Sequence, residues 1–77
     1  MEQLLKHILD SMFPETEITI ESEERENATV FTIHAPQDEI GRIIGKEGKV
    51  INAIKQIMKI KAMKENIFVD LEIKEQQ

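Results

Sequence analysis

Gly45 and Gly48 stand three residues apart, with Lys46 and Glu47 between them, Lys49 directly after and Arg42 one helical turn before. Two glycines at this spacing let the backbone turn sharply without a Cβ clash, and they let another backbone approach closely. A helix beginning near Gly48 and Lys49 turns unpaired N–H groups and the positive end of its dipole outward, which suits a phosphate. Lys46 and Lys49 add mobile cations to those amides, and Arg42 adds a planar guanidinium. Glu47 opposes an anion, but on a solvent-facing side chain the penalty is only a few tenths of a kcal/mol, roughly, after screening. Such a loop grips a phosphate backbone without breaking a bond.

Other chemistries fit poorly. A nucleotide-binding P-loop needs G-x-x-x-x-G-K-[ST] after a strand. The stretch Gly41 to Gly45 is one residue too short, and Glu47 stands where a magnesium-binding hydroxyl belongs. His7 and His34 are expected on an outer helix face and a solvent-side strand position, and Ser11 and Ser22 have no evident partners. The acids between residues 15 and 26 are unpatterned and read as a solubilising edge rather than a general acid–base pair. No cysteine is present, so disulfides, thiolate catalysis and cysteine zinc sites are excluded. We therefore expect no catalytic residue, no metal site and no cofactor.

The 77 residues fit one domain, at 40% apolar and 32% charged. The net charge of −5 hides an asymmetry. Residues 1–40 hold ten acids and two bases, a balance of −8, whereas residues 41–77 hold eight bases and five acids, a balance of +3. Between 41 and 64 seven bases face one acid, Glu47. Local potential steers a ligand more than the total does, because charges beyond a Debye length of about 8–10 Å are screened. Taken alone, that basic run is equally well read as a solvated lysine face. Apolar runs are too short to span a membrane, no secretory signal is evident, and the expected location is cytoplasmic.

The elements that must hold the loop follow from periodicity. Leu4, Leu5, Ile8, Leu9 and Met12 share one side of a helix over 2–12, which Pro14 ends. Residues 17–21 alternate as a strand, 22–27 form a polar turn, and 28–35 form a second strand with Phe31, Ile33 and Ala35 on one face. Pro36 is placed to open a helix over 37–44. A second helix runs over 49–63, with Val50, Ile54 and Ile57 on its face. Its wide apolar arc predicts burial on more than one side, with Ile60 and Met63 either packed on the last strand or the first helix or forming a dimer face. Asn66 marks its exit, residues 67–74 alternate as a third strand with Phe68 unexplained on the polar side, and the tail 75–77 is expected to fray. The order predicts an α+β domain, a three-stranded sheet with helices on one face.

The stretch Ile43-Ile44-Gly45-Lys46-Glu47-Gly48-Lys49-Val50-Ile51 resembles the I-I-G-x-x-G-x-x-I signature of KH domains. With the order α-β-β-α-α-β it is similar to the type II KH arrangement. Nearly the whole chain, including Pro36 to Arg42 leading into the loop, resembles small bacterial single-KH RNA-binding proteins of the KhpA kind. The resemblance implies single-stranded RNA held by Gly45, Lys46, Glu47, Gly48 and Lys49, with Arg42, Gly41, Ile40 and Ile44 beside them. KH domains clamp about four nucleotides over such a loop. Ile40, Ile43, Ile44 and Ile51 are candidates for an apolar groove. Among them Ile51 and one of Ile43 and Ile44 read as core, and Ile40 as groove. With three Phe and no Trp or Tyr, an aromatic stacking platform is not expected. The resemblance further implies an RNA chaperone or post-transcriptional regulator. It also implies a homodimer, or pairing with a larger Jag-like KH-domain protein. The alternative is a protein-interaction module with a minor RNA role.

Overall fold

A computed structural model describes residues 1–76. In chain order the elements are α1 (Glu2–Met12), β1 (Thr19–Arg25), β2 (Ala28–Ala35), α2 (Gln37–Ile44), a short 3-10 turn (Lys46–Gly48), α3 (Lys49–Lys64) and β3 (Phe68–Glu75). The sheet order is β1-β2-β3, with β1 antiparallel and β3 parallel to β2. The fold is α+β and has the type II KH arrangement.

Side-chain alternation decides which face the helices cover. Phe31, Ile33 and Ala35 of β2 and Leu71 of β3 point to one side and are buried. Against them lie Leu5 and Leu9 of α1, Phe13 just after it, Ile43 of α2, and Ile54 and Met58 of α3. Each such aliphatic or aromatic side chain contributes about 1.5–3 kcal/mol on burial. The other face of the sheet is open, and Thr19, Glu21, His34, Asp70, Glu72 and Lys74 stand on it.

Three expectations need correcting. The first strand begins two residues later than 17–21 suggests and runs to Arg25, leaving only Glu26–Asn27 as the turn. Its outer half, Glu21-Ser22-Glu23-Glu24-Arg25, is exposed throughout and is held by the ladder to β2 rather than by burial. Charged residues on an edge strand also deter unwanted pairing. Next, α3 buries one stripe only, Ile54, Met58 and Ala62 at i, i+4 and i+8. A single sheet offers one layer to pack on, so Ile57, Ile60 and Met63 remain exposed at 46%, 59% and 75%. Ile60 and Met63 are therefore not buried against β3 or α1; Met63 only borders a shallow cleft with Ile67 and Phe68. The tail is also more ordered than expected: Glu75 ends β3 and the Gln76 N–H donates to the Ala35 carbonyl at 2.8 Å. The expected fraying of Gln77 falls outside the described residues. Of the isoleucines around the loop, Ile43 is fully buried and Ile51 packs partly buried against the core, as expected, while Ile44 is half-exposed and outside the core cluster.

Candidate nucleic-acid interface

The loop is set by how α2 stops. The Gly45 N–H closes α2 on the Gly41 carbonyl at 2.9 Å, and Gly45 then leaves at φ 79°, ψ 173°. That region is open essentially to glycine alone. A Cβ here would also lie 2.4 Å from Val50 Cγ2 and 2.9 Å from the Val50 N. Gly45 is thus demanded by the fold itself, because the first turn of α3 is folded against it.

The chain next makes a single 3-10 turn. The Gly48 N–H donates to the Gly45 carbonyl at 3.1 Å. Glu47 sits at φ 58°, ψ 25° and Gly48 at φ 75°, ψ 14°, both left-handed. For Glu47 this costs about 1 kcal/mol. A Cβ on Gly48 would meet nothing nearer than Asn52 Nδ2 at 3.7 Å, so dihedral strain alone argues for glycine there. Gly41 differs from both. It is a solvent-exposed helical residue whose missing Cβ faces open space, so no internal contact requires a glycine.

The electrostatics of the start of α3 are inverted relative to an ordinary helix. No side chain caps it, and its first turn contains no acid but begins with Lys49. A helix N-terminus prefers a negative partner by about 0.3–1 kcal/mol. Lys46 and Lys49 are exposed and, among the described residues, form no ion pair. Glu47 is exposed too.

Arg42 is less free than its position suggests. Its Nη1 donates to Glu39 Oε2 at 2.7 Å, and its guanidinium lies 5.9 Å from the Phe13 ring centroid. The Glu39 pairing was legible as an i, i+3 spacing, whereas Phe13 comes from a distant part of the chain. Ile40 is half-buried against the core, and Ile44 lies beside the loop with part of its surface open. The site thus brings Gly41, Arg42, Ile44, Gly45, Lys46, Glu47, Gly48 and Lys49 into one continuous helix–turn–helix segment, while Ile40 serves partly as core.

The sequence of residues 2–73 matches the family model described as the KH domain of KhpA and KhpB. The chain belongs to the KhpA/KhpB KH-domain family. It is 30% identical over 78 residues to a Chlamydia trachomatis protein named RNA-binding protein KhpA, with all of both chains covered. It is 31% identical over 74 residues to the protein of that name in Clostridium acetobutylicum, covering 95% of this chain and 99% of the relative. A Borreliella burgdorferi protein of the same name is 32% identical over 73 residues, covering 95% and 85%.

Proposed function

We propose that this protein binds single-stranded RNA, with the 45–48 loop and the start of α3 holding the sugar-phosphate backbone. The observation that carries the reading is the uncapped, acid-free N-terminus of α3, set behind two left-handed backbone positions and flanked by Lys46 and Lys49, which are exposed and form no ion pair among the described residues. Relatives named as RNA-binding proteins support it. Lys46 and Lys49 supply charge, the backbone amides supply direction, and Ile44 and Ile40 offer an aliphatic wall on which bases lie. Gly41 leaves that wall low next to the loop. Arg42 joins the site by exchanging Glu39 for phosphate. The role is non-catalytic binding in the cytoplasm, with broad sequence tolerance, as an RNA chaperone or post-transcriptional regulator.

Replacing Lys46 and Glu47 together by aspartate tests the reading. Lys46→Asp reverses a charge beside the phosphate, and Glu47→Asp keeps the acid next to it on a shorter side chain, both at exposed positions. Binding of a short single-stranded RNA should weaken by about tenfold or more, with the unfolding midpoint unchanged. Undiminished binding by the folded variant would remove the loop from the mechanism.

A second reading is favoured by the other end of α3. Ile60, Met63 and Phe68 are exposed together there, with Ile67 lining the shallow cleft between Met63 and Phe68. Exposed apolar clusters of this kind mark association surfaces. We propose that this end mediates a homodimer, or pairing with a larger Jag-like KH-domain protein. The two readings are compatible, since two weak RNA sites joined in one particle gain avidity.

A further inference from the structure

Glu47 is the one acid between residues 41 and 64, and both its backbone and its neighbours make it an unexpected choice. The backbone is left-handed at φ 58°, ψ 25°, a region that glycine, asparagine and aspartate tolerate better than glutamate. Lys46 precedes it directly and Lys49 follows two residues later. Yet the exposed Glu47 side chain forms neither an ion pair nor a side-chain hydrogen bond among the described residues. No internal contact there accounts for a carboxylate, and a phosphate beside it is repelled.

Hydrogen-bond chemistry narrows what a carboxylate can do in such a place. When ionised it only accepts hydrogen bonds. Phosphate oxygens and the sugar-ring oxygen only accept as well. Within a strand, the backbone of DNA therefore carries no donor, whereas the backbone of RNA carries the ribose 2′-hydroxyl. Position agrees with that partner. Lys46 and Lys49 lie on either side of Glu47 in the chain. A strand whose successive phosphates meet the two lysines sets the sugar between those phosphates against Glu47.

We propose that Glu47 is a specificity-determining residue that accepts a hydrogen bond from one ribose 2′-hydroxyl and so selects RNA over single-stranded DNA. This rests on the loop-binding reading above and adds the sugar to the groups recognised there. The Glu47 charge weakens the grip on any phosphate, and a 2′-hydroxyl offsets that loss. DNA has nothing to offset it with.

The test is fluorescence anisotropy with one short, uridine-free sequence made as RNA, as DNA and as 2′-fluoro RNA, which keeps the ribose pucker but has no hydroxyl to donate. The wild type, Glu47→Gly, Glu47→Gln and a Lys46→Asp/Lys49→Asp variant are compared, with folding checked by circular dichroism. Glycine suits the left-handed position, so Glu47→Gly keeps the turn while removing the carboxylate. The wild type should bind RNA about tenfold more tightly than either of the other two backbones. In Glu47→Gly the three affinities should come within about twofold of one another, chiefly because DNA and 2′-fluoro RNA bind better once the repulsion is gone. Glu47→Gln, which keeps an acceptor oxygen, should fall between. Equal binding of the three backbones by the wild type overturns the role of Glu47, and so does an RNA preference that survives in Glu47→Gly. Wild-type binding of 2′-fluoro RNA as tight as that of RNA overturns it too, because the preference then follows sugar shape. The Lys46→Asp/Lys49→Asp variant should bind all three backbones more weakly. If it binds them as the wild type does, the loop reading falls and the sugar contact with it. Lost binding in that variant, with the preference unmoved in Glu47→Gly, sinks the role of Glu47 alone and leaves the loop intact.

Discussion

The two ends of α3 are built on opposite principles. At its N-terminus the backbone is bent through left-handed dihedrals, cations replace the expected capping acid, and polar donors face outward. At its C-terminus the chain leaves quietly: Asn66 takes the left-handed position at φ 58°, and the Ile67 N–H returns to the Ala62 carbonyl at 3.1 Å. There Ile60, Met63 and Phe68 are exposed beside the charged Lys61, Lys64 and Glu65. One helix thus offers an uncapped, strained end suited to a polyanion and a relaxed end whose exposed apolar side chains, set among lysines, suit another apolar surface. Between them runs the stripe Ile54, Met58 and Ala62, which does nothing but hold the helix on the sheet.

If that division is right, substitutions at one end should leave the other's property untouched. The largest effect belongs to Gly45→Ala. The new Cβ meets Val50 at 2.4 Å and φ is +79°, so the domain should lose about 3 kcal/mol, measured by chemical denaturation. A loss under about 1 kcal/mol would mean that α3 does not fold against the loop as described. Ile54→Ala should cost about 2–4 kcal/mol by the same measurement, whereas Ile60→Ala on the exposed face should stay within about 0.5 kcal/mol in dilute monomer. Next comes Met63→Glu with Phe68→Ser, which should shift sedimentation toward monomer and keep the affinity of one domain for short RNA. Loss of RNA binding by that variant as a monomer would break the division of labour. The smallest effect is Gly41→Ala. With no clash and an ordinary helical site, it should stabilise the domain by up to about 1 kcal/mol while weakening RNA binding a few-fold. Equal binding would show that no ligand passes over Gly41.

The order of elements was legible because each carries a periodic apolar pattern or a strong breaker, such as Pro14, Pro36 or the paired glycines. The type II sheet followed from that order. The outer half of β1 was not legible, since Glu21 to Arg25 is exposed on both faces and lacks an apolar alternation. Its strand character comes from pairing with β2. The breadth of the α3 arc misled for a related reason: hydrophobic residues record what could be buried, not whether a layer exists to bury it. Ile57, Ile60 and Met63 have none in the single chain. Phe68 belongs to the same exposed end, where Met63 and Ile67 adjoin it.

At the loop, spacing and residue type identified the segment, but not why each glycine is there. Gly45 answers to Val50, Gly48 to its dihedral angle, and Gly41 to neither. The attachment of Arg42 to Phe13 joins residues 29 positions apart, and the meeting of Asp70 with Lys55 depends on which strand ends up at the sheet edge. No local pattern encodes either contact.

The proposed grip of backbone amides on a sugar-phosphate strand can be tested one residue at a time. In a titration of the isotopically labelled protein with a short single-stranded RNA, followed by two-dimensional amide NMR, the largest shifts should fall on Lys46, Glu47, Gly48, Lys49 and Val50. Shifts confined to the Lys59, Lys61 and Lys64 face of α3, with the loop amides unmoved, would contradict the grip and reduce the interaction to diffuse charge.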